Sequence, residues 1–295
     1  MRPAEDSPSS FSFEAIGTAW RIESAVPIDA EVRQAIKTRI ESFDKTWSRF
    51  RDDSLISRIA REPGSWELPE ESTALFGLYR DLYERSEGRV TPLVGRILES
   101  LGYDRAYSLT PAAGARPTIP AWEDAFSFSD RTLSAPTPVL IDVGAAGKGL
   151  LVDIVTQLLI DAGHDRAIVD ASGDMRRIDT TGSIERVALE NPANPALAVG
   201  VAHVGVGSLA ASGTNRRRWG KSLHHVLDGI SGAPVTSKIA SFVLAESAMV
   251  ADGLATALLV DEPRRFEGVS EFSWVVMADN GALEYSEQFP GEVFA

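Results

Sequence analysis

The stretch "SAMVADGLATALLV", Ser247–Val260, is an apolar segment interrupted by one carboxylate, Asp252, and one hydroxyl, Thr256. Helical spacing puts Asp252 and Thr256 on the same face, with the small residues Ala248 and Ala255 beside them. A helix that is apolar all round is a buried helix. A lone carboxylate buried on it would cost several kcal/mol, so Asp252 must be paired, hydrogen-bonded or bound to a cation. Spacing alone leaves those three readings open.

Working outward from this helix, the flanking segments alternate as strands do. "IASFVLAES" precedes it, and "FSWVVMADNGALEYS" follows as a hairpin around Asn280–Gly281. "ERVALENP", "LAVGVAHVG" and "SLAASGTN" read as further strands, and "HHVLDGISGAPV" as strand–turn–strand. "PVLIDVGA" reads as a strand entering a loop, "GLLVDIVTQLLIDAG" as a helix, and "RAIVDASGDM" as a strand entering a loop. In the first half, residues 1–10 read as a loose tail and Phe11–Val26 as a strand in which Gly17 marks a bulge or a close backbone approach. Asp29–Trp47 carries Val32, Ile36, Ile40 and Phe43 at helical spacing. "SRFRDDSLISRIARE" reads as a turn and a short helix, "STALFGLYRDLYERS" as an amphipathic helix stopping at Gly88, and "RVTPLVGRILESLGYD" as a Pro-containing turn and a short helix. Residues 108–120, rich in Pro, Ala and Gly, read as a surface excursion or a seam between two lobes of one domain over 11–295. Strands and helices mix without strict alternation, which makes the class α+β.

The 295 residues are 44% apolar and 24% charged, ordinary values for a globular protein. A net charge of −13 argues against a general nucleic-acid role, which needs a basic surface. The absence of cysteine excludes disulfides, thiolate metal sites, a thiol nucleophile and a cysteine-linked lipid anchor. No apolar leader or membrane-length run is present, so the expectation is a soluble, cytoplasmic protein.

Four further segments can carry chemistry. "DVGAAGKGLLVD", Asp142–Asp153, is a Gly-rich turn entering a helix, which aims backbone N–H groups and Lys148 at an anion such as phosphate; a tight turn with a solvated lysine reads equally well. It has neither Walker A nor G-x-G-x-x-G spacing. "VDASGDMR" brackets a small-residue turn with Asp170 and Asp174, as turn caps or as functional acids. Ser212–Gly213 precedes the basic knot Arg216, Arg217, Arg218 and Lys221, a pyrophosphate partner or a solvated hairpin tip. His225 stands as a general base or as a satisfied strand residue.

The order of these segments, ending in "HHVLDGISGAP" and "SAMVADGLATAL", resembles the ApbE family of FAD:protein FMN transferases over about residues 11–285. "IGTAW" looks like the family's Met-Gly-Thr strand with Ile16 in place of Met, and Phe50 in "SRFRDDSLI" stands at its aromatic position. "EGRVTPLVG" departs from the usual G-x-F-D-P-T: Arg89, Val90 and Thr91 occupy the neighbourhood of the missing Phe-Asp. The resemblance implies mixed, mainly antiparallel sheets with flanking helices in two lobes. It implies an enzyme that uses Mg²⁺ to split FAD, releases AMP and joins FMN through a phosphoester to a Thr or Ser of a partner flavoprotein. It further implies Asp252, Thr256 and the carbonyl of Ala145 as metal ligands, and His225 as the residue that deprotonates the acceptor hydroxyl. Asp142, Lys148 and Val226 are implied as FAD contacts, with Phe50, Ile16, Arg89, Val90 and Thr91 in the same binding region. An FAD pyrophosphatase and a non-catalytic FAD-binding protein are the alternatives.

Overall fold

A computed structural model describes residues 9–294. The chain opens with a hairpin of β1 (Ser9–Ala15) and β2 (Thr18–Ser24), then α1 (Ala30–Trp47), α2 (Leu55–Ile59), β3 (Gly64–Glu67) and α3 (Ser72–Arg85). A single 3₁₀ turn, Pro92–Val94, leads into α4 (Gly95–Ser100), followed by α5 (Trp122–Ala125), β4 (Ser127–Ser129) and β5 (Thr132–Ala135). Then come α6 (Gly147–Asp161), β6 (Arg166–Asp170), β7 (Asp174–Asp179), β8 (Glu185–Glu190), β9 (Ala198–Val204) and β10 (Gly207–Gly213). The chain closes with β11 (Arg218–Trp219), β12 (Leu223–His224), β13 (Lys238–Ala245), α7 (Ala248–Val260), β14 (Phe272–Ala278), β15 (Leu283–Tyr285) and β16 (Gly291–Val293).

Eight strands form one antiparallel sheet in the order β1-β2-β6-β7-β10-β13-β14-β15. Both faces are covered, and strand periodicity decides what goes where. On β13, Ala240, Phe242 and Leu244 enter one core with Leu189, Val199 and Val204 from the small sheet β16-β9-β8. The intervening Ser241 and Val243 face α7: Val243 joins the larger core, and the Ser241 hydroxyl donates to the carbonyl of Ala255. α6 and α7 pack against each other and against the α7-facing side of the sheet.

α7 is buried along nearly its whole length, as its all-round apolar sequence requires. It crosses α6 at Gly149, where a Cβ would sit 2.1 Å from the carbonyl oxygen of Ala248 and 2.8 Å from Cβ of Asp252. Only glycine permits that approach.

Several sequence expectations change. Phe11–Val26 is two strands joined by a two-residue turn, with Ile16 at φ 47° and Gly17 at φ 74°, so Gly17 marks a turn and not a bulge. Ser9 and Ser10, expected in the loose tail, already pair with Ser24 and Glu23, while residues 1–8 lie outside the described residues. The expected strand "PVLIDVGA" is extended but joins no sheet: Val139 N–H donates to Ile59 O and Asp142 N–H to Pro92 O. Pro136 and Pro138 remove ladder donors at its start, and the buried Val139, Leu140 and Ile141 fill a core instead of extending a sheet. The reading of residues 224–235 as strand–turn–strand reduces to the end of the short β12 (Leu223–His224) and an isolated Leu227–Pro234 bridge. The three-stranded sheet β3-β5-β4 has no counterpart in the sequence reading. Strands of three or four half-polar residues leave too little periodicity there.

Two helical glycines test this packing. Gly149→Ala should lower unfolding stability by about 3 kcal/mol or more, because the methyl group meets backbone. Gly77→Ala, in α3 with nothing within 4 Å of the new Cβ, should raise it by about 0.5–1 kcal/mol. Denaturant titration of both variants against the parent checks the pair.

Candidate active site

A cavity of about 950 Å³ opens where α6, α7, the end of β10 and the β1–β2 turn meet the 49–51, 90–94 and 103–109 segments. Its volume is at the upper end for small-molecule sites. Ile16, Phe50, Val90, Thr91, Asp142, Ala145, Lys148, His225, Val226, Asp252 and Thr256 all line it. Residues scattered over 240 positions of sequence are thereby brought to one wall system. Arg89 is not among the lining residues. Its guanidinium points away to Asp228 (2.6 Å) and Asp261 (3.3 Å), tying the turn after His225 to the end of α7.

Asp252 is 4% exposed, and its Oδ2 accepts a hydrogen bond from Gly149 N–H at 2.9 Å. Burial, and then the neighbouring Asp174, push its carboxyl well above the usual range, while Lys148 pulls the other way. Asp174 is buried as deeply, and burial raises it too against the opposing pull of Lys148. Lys148 Nζ lies 2.6 Å from Asp174 Oδ2 and donates to the carbonyl of Ala171 at 2.9 Å. Two buried acids thus flank one half-buried cation, Lys148, which pairs directly with Asp174. Thr256 completes the Asp252 face, with its hydroxyl 3.1 Å from the Ser212 hydroxyl at the end of β10.

The Gly-rich turn is shaped from both sides. Asp142 Oδ1 accepts from Gly144 N–H at 2.7 Å, and its Oδ2 takes Arg49 Nε at 2.5 Å. The hydroxyl of Tyr79, buried in α3, accepts from Ala145 N–H and donates to the carbonyl of Asp142. Burial, with the charges of Asp142 and Asp252, raises the Tyr79 phenol well above its ordinary value, so it stays protonated. Arg49 and Tyr79 escaped the sequence reading because nothing local marks them: each meets a turn more than 60 residues away.

The two adjacent histidines divide cleanly. His224 Nε2 donates to Val235 O at 2.8 Å while its Nδ1 accepts from Val226 N–H, a satisfied structural residue. His225 faces the cavity, and its Nδ1 has no hydrogen-bond partner. Burial, and then the charge of Arg217, lower its pKa to about 3, so the imidazole is neutral at ordinary pH. Of the basic knot, Arg216, Arg217 and Arg218 line the cavity, and Arg216 also pairs with Glu190 at 2.9 Å. Lys221 is not part of the wall. Asp170 caps its turn through Gly173 N–H, the structural alternative for that acid.

Aromatic side chains form the opposite wall. Phe50 stacks on Tyr107 (centroids 5.1 Å apart, 5° between planes), and Tyr103 stands edge-on to both. Thr91 caps the 3₁₀ turn through Leu93 N–H, a task Thr performs as Asp does. That keeps the local backbone intact where Phe-Asp was expected.

The residues lining this cavity include Asp252, Thr256 and Ala145, which carry a carboxyl group, a hydroxyl and a backbone carbonyl. Such hard donors fit Mg²⁺. Among the described residues no three His, Cys, Asp or Glu gather as a cage. Mg²⁺ ordinarily completes its shell with water and substrate phosphates, so one carboxylate and two neutral oxygens are a fitting protein share.

The chain belongs to the ApbE family, whose model matches residues 16–273. The FAD:protein FMN transferase of Klebsiella pneumoniae (strain 342) is 26% identical over 278 residues, covering 87% of this chain and 79% of that protein. The FAD:protein FMN transferase of Treponema pallidum (strain Nichols) is 28% identical over 285 residues, covering 83% and 76%. With these relatives the chain is a transferase. The crystal structure of the ApbE protein of Thermotoga maritima shares the fold at TM-score 0.84 and 23% identity, over 95% of this chain and 97% of that one. The flavin transferase ApbE of Vibrio cholerae shares it at TM-score 0.77 and 22% identity, over 96% and 98%. Among the described residues no helix is long and apolar enough to cross a membrane.

The neutral His225 has a stability signature. Unfolded, it titrates near 6.5; folded, at about 3. The unfolded chain therefore binds the extra proton between those values, and stability that is complete above pH ~6.5 is lost as pH falls. His225→Gln should lose less stability than the parent between pH 7.5 and 5, by up to about 2 kcal/mol, in denaturant titrations at the two pH values.

Proposed function

We propose that this chain transfers FMN from FAD to a Thr or Ser hydroxyl of a partner flavoprotein, forming a phosphoester and releasing AMP, with Mg²⁺ as the cofactor. The observation that carries the reading is the pair of buried carboxylates, Asp252 and Asp174, served by the single cation Lys148 in a cavity flanked by three arginines. The family membership and the FAD:protein FMN transferase activity of the relatives supply the substrate.

Asp252, Thr256 and the Ala145 carbonyl would hold Mg²⁺, which supplies neutralisation of charge on the phosphates in flight. Lys148, anchored by Asp174 and the Ala171 carbonyl, keeps one face of its ammonium toward the cavity and the pyrophosphate. Phe50, Tyr103 and Tyr107 offer flat surfaces to the aromatic rings of the dinucleotide. The acceptor oxygen attacks the FMN phosphorus, the bond from that phosphorus to the bridging oxygen breaks, and that oxygen leaves with AMP. His225 takes the hydroxyl proton. Its low pKa comes second only to burial from Arg217, so anionic phosphates that engage Arg217 raise the basicity of the imidazole when substrate is in place.

The test is incubation of the full chain with FAD, Mg²⁺ and an acceptor carrying an exposed Thr, read by mass spectrometry. The expected result is an acceptor heavier by one FMN, with one AMP released per adduct. Free FMN and AMP without adduct would mean a pyrophosphatase, and intact bound FAD a binding protein. Asp252→Ala should fold and lose at least about 100-fold in turnover, as when a direct stabiliser of the transition state is removed.

The raised Asp252 carboxyl gives a second outcome. A bound cation requires the ionised form, so metal binding should release protons, and metal affinity should weaken as pH is lowered. Calorimetry in buffers of different ionisation enthalpy measures the protons released; none released would sink the assignment of Asp252 as a ligand.

A further inference from the structure

We propose that Asp153 is the positioning residue of this centre: it locks α7 against α6 at the register and rotation that carry Asp252 and Thr256 into the cavity. The inference rests on the reading of those two side chains as the metal face. Asp153 does not line the cavity.

Its carboxylate is saturated by four donors. Oδ1 accepts from Ala248 N–H at 2.9 Å and from Arg176 at 2.6 Å. Oδ2 accepts from Met249 N–H at 2.9 Å and from the Ser247 hydroxyl at 2.7 Å. Three of the four belong to the first residues of α7, whose own first turn carries no acid. The anion that a helix N-terminus favours is thus supplied by a neighbouring helix.

Starting α7 does not require this. Ser247 caps the helix from within, its hydroxyl accepting from Val250 N–H at 3.3 Å. What Asp153 adds is registration. It lies one turn beyond Gly149 on the same face of α6, so α6 grips α7 at two points. Gly149 N–H holds the Asp252 carboxylate, and Asp153 holds the backbone one turn earlier. The third contact, Arg176, sits two residues from Asp174 on β7, the same strand face. One carboxylate therefore ties together the three elements that carry Lys148, Asp252 with Thr256, and Asp174.

Asp153→Asn replaces an acceptor oxygen with an NH₂ group that faces donors. The experiment titrates Mn²⁺ alone, by EPR, into the full-length parent, Asp153→Asn, Asp252→Ala and Asp179→Asn, with thermal unfolding of each. Asp179 is a comparator: it accepts from Arg177, Thr181 and Ser183 at the far end of β7, outside the cavity. The expected result is a Kd for Mn²⁺ weakened about tenfold or more in Asp153→Asn, the scale of a lost outer-shell partner. Asp179→Asn should lose stability and keep the parent Kd. A folded Asp153→Asn with the parent affinity would overturn the inference, as would an equal weakening in Asp179→Asn. If the parent itself binds no better than Asp252→Ala, the metal reading of Asp252 falls first and this inference with it. Should Asp153→Asn not fold, Ser247→Ala removes one contact to Oδ2 and is expected to weaken Mn²⁺ roughly threefold; unchanged affinity there would overturn the proposal.

Discussion

The crossing of α6 and α7 at Gly149 is the constraint on which the rest of the molecule depends. At that point backbone meets backbone, and the N–H of Gly149 reaches the carboxylate of Asp252. A side chain in place of the glycine hydrogen would part the helices, and with them the lysine on one and the acid on the other. The large sheet exists, in this view, to hold those two helices at contact distance. Its α7-facing residues are short where the helix comes close: Ser241 even donates its hydroxyl to the carbonyl of Ala255.

Bringing the helices together concentrates charge at the wall of the cavity, on side chains that are largely withdrawn from solvent. Asp174 and Asp252 are both buried, and Lys148 compensates for only one of them. A protein built for stability alone would replace such a set with apolar residues of similar volume. In the proposed reaction the stabilising partner comes from outside, as the Mg²⁺ that accompanies the phosphates. Arg216, Arg217 and Arg218 at the cavity wall, in a chain of net charge −13, extend the same logic to the anionic side of that partner.

What could be read from the sequence was whatever is announced locally. Ser247–Val260 declared a buried helix by its uniform apolarity, and its two polar residues by being out of place. The Gly-rich turn before Lys148 and the His225 segment carried enough motif to be matched to a family. What stayed hidden was long-range pairing. Arg49 meets Asp142 across 93 residues, and Met249 meets Asp153 across 96, and no periodicity encodes either. Nothing in the sequence around Asp153 marks its partners, because Ser247, Ala248 and Met249 reach it only on folding. Arg89 was placed by neighbourhood in the chain, whereas its direction is set by two acids, Asp228 and Asp261, that only folding brings near. The buried run before Asp142 shows the limit of apolarity as evidence: it guarantees a core but not a ladder, and the prolines at 136 and 138 decide against one.

The β1–β2 turn places Ile16, a β-branched residue, in the left-handed region that glycine favours, and that side chain lines the cavity. The hairpin it closes is one edge of the eight-stranded sheet among the described residues, hydrogen-bonded to its neighbour through β2 and β6. A molecule that packs against Ile16 therefore presses on the turn that ends this edge. Occupancy of the cavity would then be felt as amide-exchange protection along β1. The edge of the sheet becomes a reporter of filling that needs no chemistry to be read.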